Sequence, residues 1–337
     1  MMPTVLTRGK TTKDAETKEG IRRLCQTDLS VLARVILTAD RAAADNTIVE
    51  GFHGPLFNYI QTTPHQRNLY QLARDHHKTA IITCMRNLQR VLAKPSTTIL
   101  IASNKAENAE AMLAVLKGYA QHPTLLWACP DVLYTDPARQ AEKWTNSAIV
   151  FRQHRRSDLA GTVETIGEQG EVTSKHYEHG TFDDIVGFEN SGSRESLQRT
   201  IRWVQAAQSL FFPWATQDYV GTPWDVADVW AWWLEQHVKH GLAMGVYREP
   251  CWRRIRPAGT APGQYLVDGT GGMVPDVWDL DAFGRKIPLL PERFAMRDRH
   301  VHPERYASTV PPAEVAQHLR TAAQDFLDEL ARIQGPT

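Results

Sequence analysis

The stretch Gln71-Leu72-Ala73-Arg74-Asp75-His76-His77-Lys78-Thr79 decides how the rest of the chain is read. Before it, Asn68-Leu69-Tyr70-Gln71-Leu72-Ala73 is a short strand candidate. After it, Ile81, Met85, Leu88 and Leu92, at spacings of four, three and four, predict a helix. A lysine and a hydroxyl residue between strand and helix stand where a phosphate-binding loop belongs. The helix start offers unpaired backbone N–H groups and a positive dipole end to phosphate oxygens. Lys78 then sets an ammonium against β and γ oxygens, and Thr79 a hydroxyl on Mg²⁺. Neither glycine of GxxxxGK[ST] is present, and His77 directly precedes the lysine. By itself the segment therefore also reads as a Lys-Thr pair at an ordinary helix start.

Two later segments bear on that choice. Phe182-Asp183-Asp184 follows a strand candidate about a hundred residues after the lysine. Adjacent carboxylates at a strand end suit metal-assisted phosphoryl transfer: Asp183 holds Mg²⁺, and Asp184 or Glu189 polarises the attacking water. The bland alternative is a solvated Asp-Asp turn. In Tyr219-Val220-Gly221-Thr222-Pro223-Trp224, a strand ending in Gly-Thr places a hydroxyl near the γ-phosphate; alone it is a strand-to-helix turn. Open α/β sheets bind ligands at the carboxyl ends of their strands, and all three segments are expected at such ends.

Around these motifs strand and helix patterns alternate. Thr97 to Ala102, Ser147 to Arg152, Gly161 to Ile166 and Asp218 to Thr222 read as strands, and the segment from Lys175 to Ile185, more polar up to Gly180 than a buried central strand should be, leads into the acid pair. Helices are expected after Asn104 and Ser193 as caps, and after Asp225, where Trp230, Trp232 and Trp233 follow. The class is therefore α/β, with a mostly parallel sheet flanked by helices and an N-terminal helical segment. We expect a flexible arm over 1–20, helical segments over 21–61, the core over 62–245, and over 246–337 an extension rich in Pro, Gly and Arg that ends in a helix from Pro312 to Ile333.

Composition excludes several classes. Thirty-eight basic against 38 acidic residues leave no global field for nucleic acid, so DNA contact must come from local patches. Cys25, Cys84, Cys129 and Cys251 lie far apart without a CxxC pair, which speaks against a metal framework and for reduced thiols. No apolar run approaches the roughly 20 residues of a membrane span, and a soluble cytoplasmic chain is expected.

Taken together, the residues resemble those of bacteriophage large terminase subunits. That family uses a deviant Walker A loop with an arginine a few positions before Lys-[Ser/Thr], which Arg74-Asp75-His76-His77-Lys78-Thr79 is similar to. The stretch from Phe182 to Asn190 resembles its Walker B strand end running on into an "EN" and a helix, here with Arg202-Trp203. Val220-Gly221-Thr222-Pro223-Trp224 resembles its coupling motif. The resemblance spans about Phe52 to Leu234 and implies an ASCE-type P-loop ATPase that drives double-stranded DNA into a capsid. It implies ATP and Mg²⁺ on the loop 74–79, with Lys78 and Thr79 binding phosphate and metal and Arg74 contacting the γ-phosphate. Asp183 is then the metal ligand, Asp184 or Glu189 the catalytic acid, and Thr222 the coupling residue. Implied partners are DNA, a portal protein, a small terminase subunit and further copies in a ring, in the host cytoplasm and absent from the virion. The family's nuclease domain is not expected in this chain.

Three basic clusters are candidates for a DNA backbone: Arg152, His154, Arg155 and Arg156; Arg248, Arg253, Arg254 and Arg256; and Arg297, Arg299 and His300. Each is also an ordinary solvated loop, or holds an arginine reaching a neighbouring subunit's ATP. Two other functions stay open at this level: a helicase-like ATPase with the same site, and a scaffold with a degenerate loop.

Overall fold

In the computed structural model, residues 8–38, 48–73, 76–155, 159–168, 170–171, 175–187, 190–222, 228–264, 276–282, 285–289, 291, 295, 298, 301–307 and 309–334 are described. Seven strands build one sheet: β1 (Arg67–Leu72), β2 (Ile99–Ser103), β3 (Ala148–Ile149), β4 (Val163–Gly167), β5 (Tyr177–Asp183), β6 (Phe211–Gly221) and β7 (Gly245–Glu249). Their order is β3-β4-β2-β5-β6-β1-β7. Only β3 runs antiparallel; every other pairing is parallel.

A parallel sheet must be covered on both faces, because its crossover helices lie on them. Successive strand residues accordingly feed two cores. Tyr70, Ile99, Ile101 and Val220 pack with the helices α1 (Arg8–Thr27), α2 (Leu29–Thr38), α3 (Glu50–Thr62), α4 (Arg86–Ala93) and α5 (Ala106–Ala120). Leu69, Leu100, Ala102 and Tyr219 face the other way, toward α8 (Arg194–Ala207) and α9 (Val229–His240). Two short helices, α6 (Pro123–Ala128) and α7 (Pro137–Gln140), lie between α5 and β3 in the chain, and α10 (Pro312–Gln334) comes last. Among the described residues no helix is long and apolar enough to cross a membrane.

Several expectations are corrected. The segment read as a flexible arm is helical from Arg8, although Asp14 to Thr17 stay exposed. The strand expected from Ser147 to Arg152 keeps two residues, because Val150 N–H bonds Lys143 O and Arg152 N–H bonds Val132 O instead of a neighbouring strand. Asn104 does not cap α5; Lys105 holds that position, and the Asn104 amide oxygen accepts from Asn108. The Trp-rich helix starts at Val229, capped by Asp228, whose carboxylate accepts from Trp230 and Ala231 N–H; the expected cap, Asp225, lies outside the described residues. Ser193 caps α8 as expected. β6 begins at Phe211 rather than Asp218, and β7 extends the sheet past residue 245.

β5 is central yet polar, and its side chains explain how. Glu178 takes Lys94 at 2.6 Å and the Thr97 hydroxyl at 2.9 Å. His179 meets the Thr216 hydroxyl at 2.6 Å, and Tyr177 OH donates to Glu164 at 2.6 Å. Each polar group is thus satisfied laterally, which removes the main penalty of burying it. Beside it, Arg90 on α4 pairs with buried Asp218 on β6 at 2.8 Å and fixes the helix to that strand.

Candidate functional site

The three motifs meet at the carboxyl edge of β1, β6 and β5. Gln71 pairs with Gly221, and Val220 with Asp183, so the three strand ends lie side by side with β6 in the middle. After β1, the chain turns at His77 and enters a helix at Lys78. That helix opens with a π-helical segment, Thr79–Met85, before continuing as α4. Wide π turns recur at functional sites. Here the wider turn sets Thr79 and Thr83, four residues apart, toward the same acid.

Lys78 is the hub. Its Nζ donates to Asp184 Oδ1 at 3.0 Å and to Thr222 Oγ1 at 2.8 Å, and the residue is only 8% exposed. The Thr222 hydroxyl in turn donates to Leu72 O at 3.3 Å, closing a ring across β1, β6 and the end of β5. Asp183 is fully buried and accepts from the Thr83 hydroxyl through Oδ2. Its Oδ1 meets no hydrogen-bond donor among the described residues. Burial pushes the Asp183 carboxyl up to about 7, the Asp184 charge adds to this, and the Thr83 and Thr79 hydroxyls and the Lys78 ammonium counter it. An orphaned, fully buried carboxylate oxygen beside a hydroxyl is chemistry that fits a hard divalent cation.

Asp184 and His77 both have positive φ, 46° and 54°. Asp and His enter this region more readily than most side chains, and the strain still costs about 1–3 kcal/mol each. At His77 this explains the missing glycine: the turn demands the left-handed conformation, and histidine adopts it. Asp184 is held there by its N–H bond to Val220 O at 2.9 Å, which leaves its side chain partly exposed beside the lysine.

A cleft of about 860 Å³ opens from this point along α5, lined by His77, Lys78, Thr79, Asp184, Asn108 and Met112 among others. His76 lies elsewhere. Its ring is buried 4.8 Å from Phe52 on α3, so its side chain does not face the cleft as a binding residue would. His53 nearby accepts from Val49 N–H, and burial, with the His77 charge second, pulls it down to about 3, so the ring is neutral. Arg74, Asp75 and Glu189 lie outside the described residues. Thr83 escaped the sequence reading, although its place one turn after Thr79 was the available signal.

Gly221 is required by a close approach. A Cβ there would sit 2.3 Å from Trp230 of α9, a fully buried indole. Gly221→Ala should therefore force the ring aside and destabilise by about 1–3 kcal/mol, with lost packing at Thr222. An unchanged urea midpoint would contradict this contact.

Among the described residues, the basic clusters are mostly tied up. Arg248 and Arg254 pair with Asp276 at 2.8 and 3.3 Å, Arg256 pairs with buried Glu249, and Arg253 pairs with Asp279 at 3.3 Å. Arg152 lies over the Tyr134 ring at 4.5 Å, and His154 bonds Ala160 O. Arg156, Arg297, Arg299 and His300 lie outside the described residues. Among the described residues no group of three His, Cys, Asp or Glu is set to hold a metal, and the four cysteines are free.

No protein-family model matches the chain, and a search of curated proteins finds no significant match.

Proposed function

We propose that this chain is an ASCE-type P-loop ATPase, the motor of a phage DNA-packaging enzyme of the large terminase kind, coupling ATP hydrolysis to translocation of double-stranded DNA. The observation that carries the reading is the meeting of Lys78, Asp184 and Thr222, from three separate segments, on one ammonium group at the ends of adjacent parallel strands. One strand, β6, separating the loop strand from the acidic strand supports the ASCE assignment.

In this reading Lys78 neutralises charge on the terminal phosphates, and the first turn of the following helix supplies N–H donors. Asp183 and Thr79 would hold Mg²⁺, which supplies further charge neutralisation on the phosphates. Asp184, half-exposed and facing the cleft, orients the attacking water and takes its proton. Thr222, bonded to Lys78 and carried by β6, links the phosphate site to α9. DNA, a portal, a small subunit and a ring of copies belong to the same proposal.

The test is ATP turnover with and without duplex DNA for the wild type, Asp183→Ala and Asp184→Ala. We expect DNA-stimulated hydrolysis that falls at least about a hundredfold in both variants. Activity surviving both substitutions would refute the site. Turnover indifferent to duplex DNA would favour another kind of ATPase.

A further inference from the structure

Three buried polar residues, Asn190 at the end of the acidic motif and two outside the motifs, close around the segment that follows the acid pair. Asn190, Glu168 and Thr200 are 7%, 6% and 0% exposed. They come from the turn after β5, the residue just past β4 and the middle of α8. The Asn190 amide Nδ2 donates to Glu168 Oε2 at 2.8 Å and to Ile185 O at 2.8 Å, and lies 3.3 Å from the Thr200 hydroxyl. Its Oδ1 accepts from Gly187 N–H at 2.7 Å. Thr200 Oγ1 donates to the other Glu168 oxygen at 2.6 Å. Among the described residues no cation pairs with Glu168, so these two donors are what hold the buried carboxylate.

Such an arrangement is expensive for mere packing. An apolar trio would fill the same space without desolvating a carboxylate, and buried polar networks that are fully satisfied specify one geometry. What this one fixes is the backbone at 185 and 187, immediately after Asp184. Asp184 sits in a left-handed conformation that no glycine relieves, and among the described residues its backbone is tied through its N–H to Val220 O. Strained backbone persists where the surroundings over-determine it.

We propose that Asn190, Glu168 and Thr200 form a bracket that holds Asp184 in its strained conformation and ties that conformation to α8. They are positioning residues, acting through Asp184. The functional consequence rests on the reading of Asp184 as the residue that orients water; the bracket itself does not.

The test uses the full chain in two measurements. In hydrogen exchange, Asn190→Ala and Thr200→Val speed exchange in the 183–187 segment, Thr200→Ser does not, and peptides across β1 and α5 stay unchanged. In ATP turnover, the first two variants lower kcat about ten- to a hundredfold with KM held within about twofold, as expected for a misplaced catalytic group. Thr200→Ser retains the wild-type rate. Should Asn190→Ala fail to fold, the Thr200 pair decides. Unchanged exchange at 183–187 in a folded Thr200→Val would overturn the bracket, and so would equal behaviour of the Val and Ser variants. A wild type without ATP turnover, but with the exchange pattern above, would remove the proposed function and leave the bracket standing.

Discussion

Lys78→Ala is expected to lower kcat/KM for ATP by roughly 10²–10³-fold, the range for deleting one donor that stabilises developing charge. The expectation follows from where the ammonium sits. It is nearly buried, its stem is enclosed, and its two donated bonds go to Asp184 and Thr222. Removing it takes from Asp184 the cation it is paired with, and the Lys78 charge is one of the influences that keeps Asp183 down. The alanine variant should therefore be damaged in two ways, in phosphate affinity and in the ionisation of the metal-binding acid. Lys78→Met keeps the apolar stem and separates the two, because packing is retained while the charge is lost. Calorimetric titration with MgATP and turnover of all three proteins provide the check. Equal nucleotide affinity in wild type and both variants would remove Lys78 from the site.

Asp183→Asn is expected to abolish Mg²⁺-dependent nucleotide binding and, in the absence of metal, to make the protein more stable at pH 8. The sign follows from the raised folded-state pKa. Between the ordinary value of 3.8 and about 7, the folded protein keeps a proton that the unfolded chain has released. Stability from this group is therefore fully present below pH 4 and is lost as pH rises through about 7. Above that, the wild type must hold an ionised, fully buried carboxylate that asparagine avoids. Thermal melts should show a gain of a few degrees for Asp183→Asn at pH 8, a smaller gain at pH 5 and little or none below pH 4. The same proton competes with metal, so wild-type Mg²⁺ affinity should weaken below about pH 7. A gain independent of pH would mean that Asp183 is not the titrating group.

The layout of the molecule was legible in the residues to different depths. The β1 and β2 strands and the Gly-Thr end of β6 announce themselves through their apolar runs, and the acid pair at the end of β5 through its adjacent carboxylates. The amino half of β6 does not, since Pro213 and the exposed Trp214 break the apolar pattern expected of a central strand. At β5 the polar stretch from Tyr177 to His179 looked unsuited to a sheet centre. Only the partners Lys94, Thr97, Glu164 and Thr216, distant in sequence, make it acceptable. Within the site, Lys78, Asp183, Asp184 and Thr222 converge as the motif order suggested. His76 turns away because Phe52 offers it an apolar seat, and no local pattern encodes that choice. The bracket of Glu168, Asn190 and Thr200 is invisible to periodicity, being assembled from a strand end, a turn and a helix.

The placement of β1 also has a kinetic side. Among the described strands it is the first to be synthesised, yet its neighbours are β6 and β7. Lys78 meets Thr222 only after 144 further residues have been added. At 5–20 residues per second that is a wait of roughly 7–29 s, during which both backbone edges of β1 have no partner. For that interval the nascent chain depends on α1, α2 and α3, already synthesised, to shelter one face of β1, while the other stays open to chaperones or to aggregation. A molecule released early would carry the lysine loop but neither of the strands that give it shape.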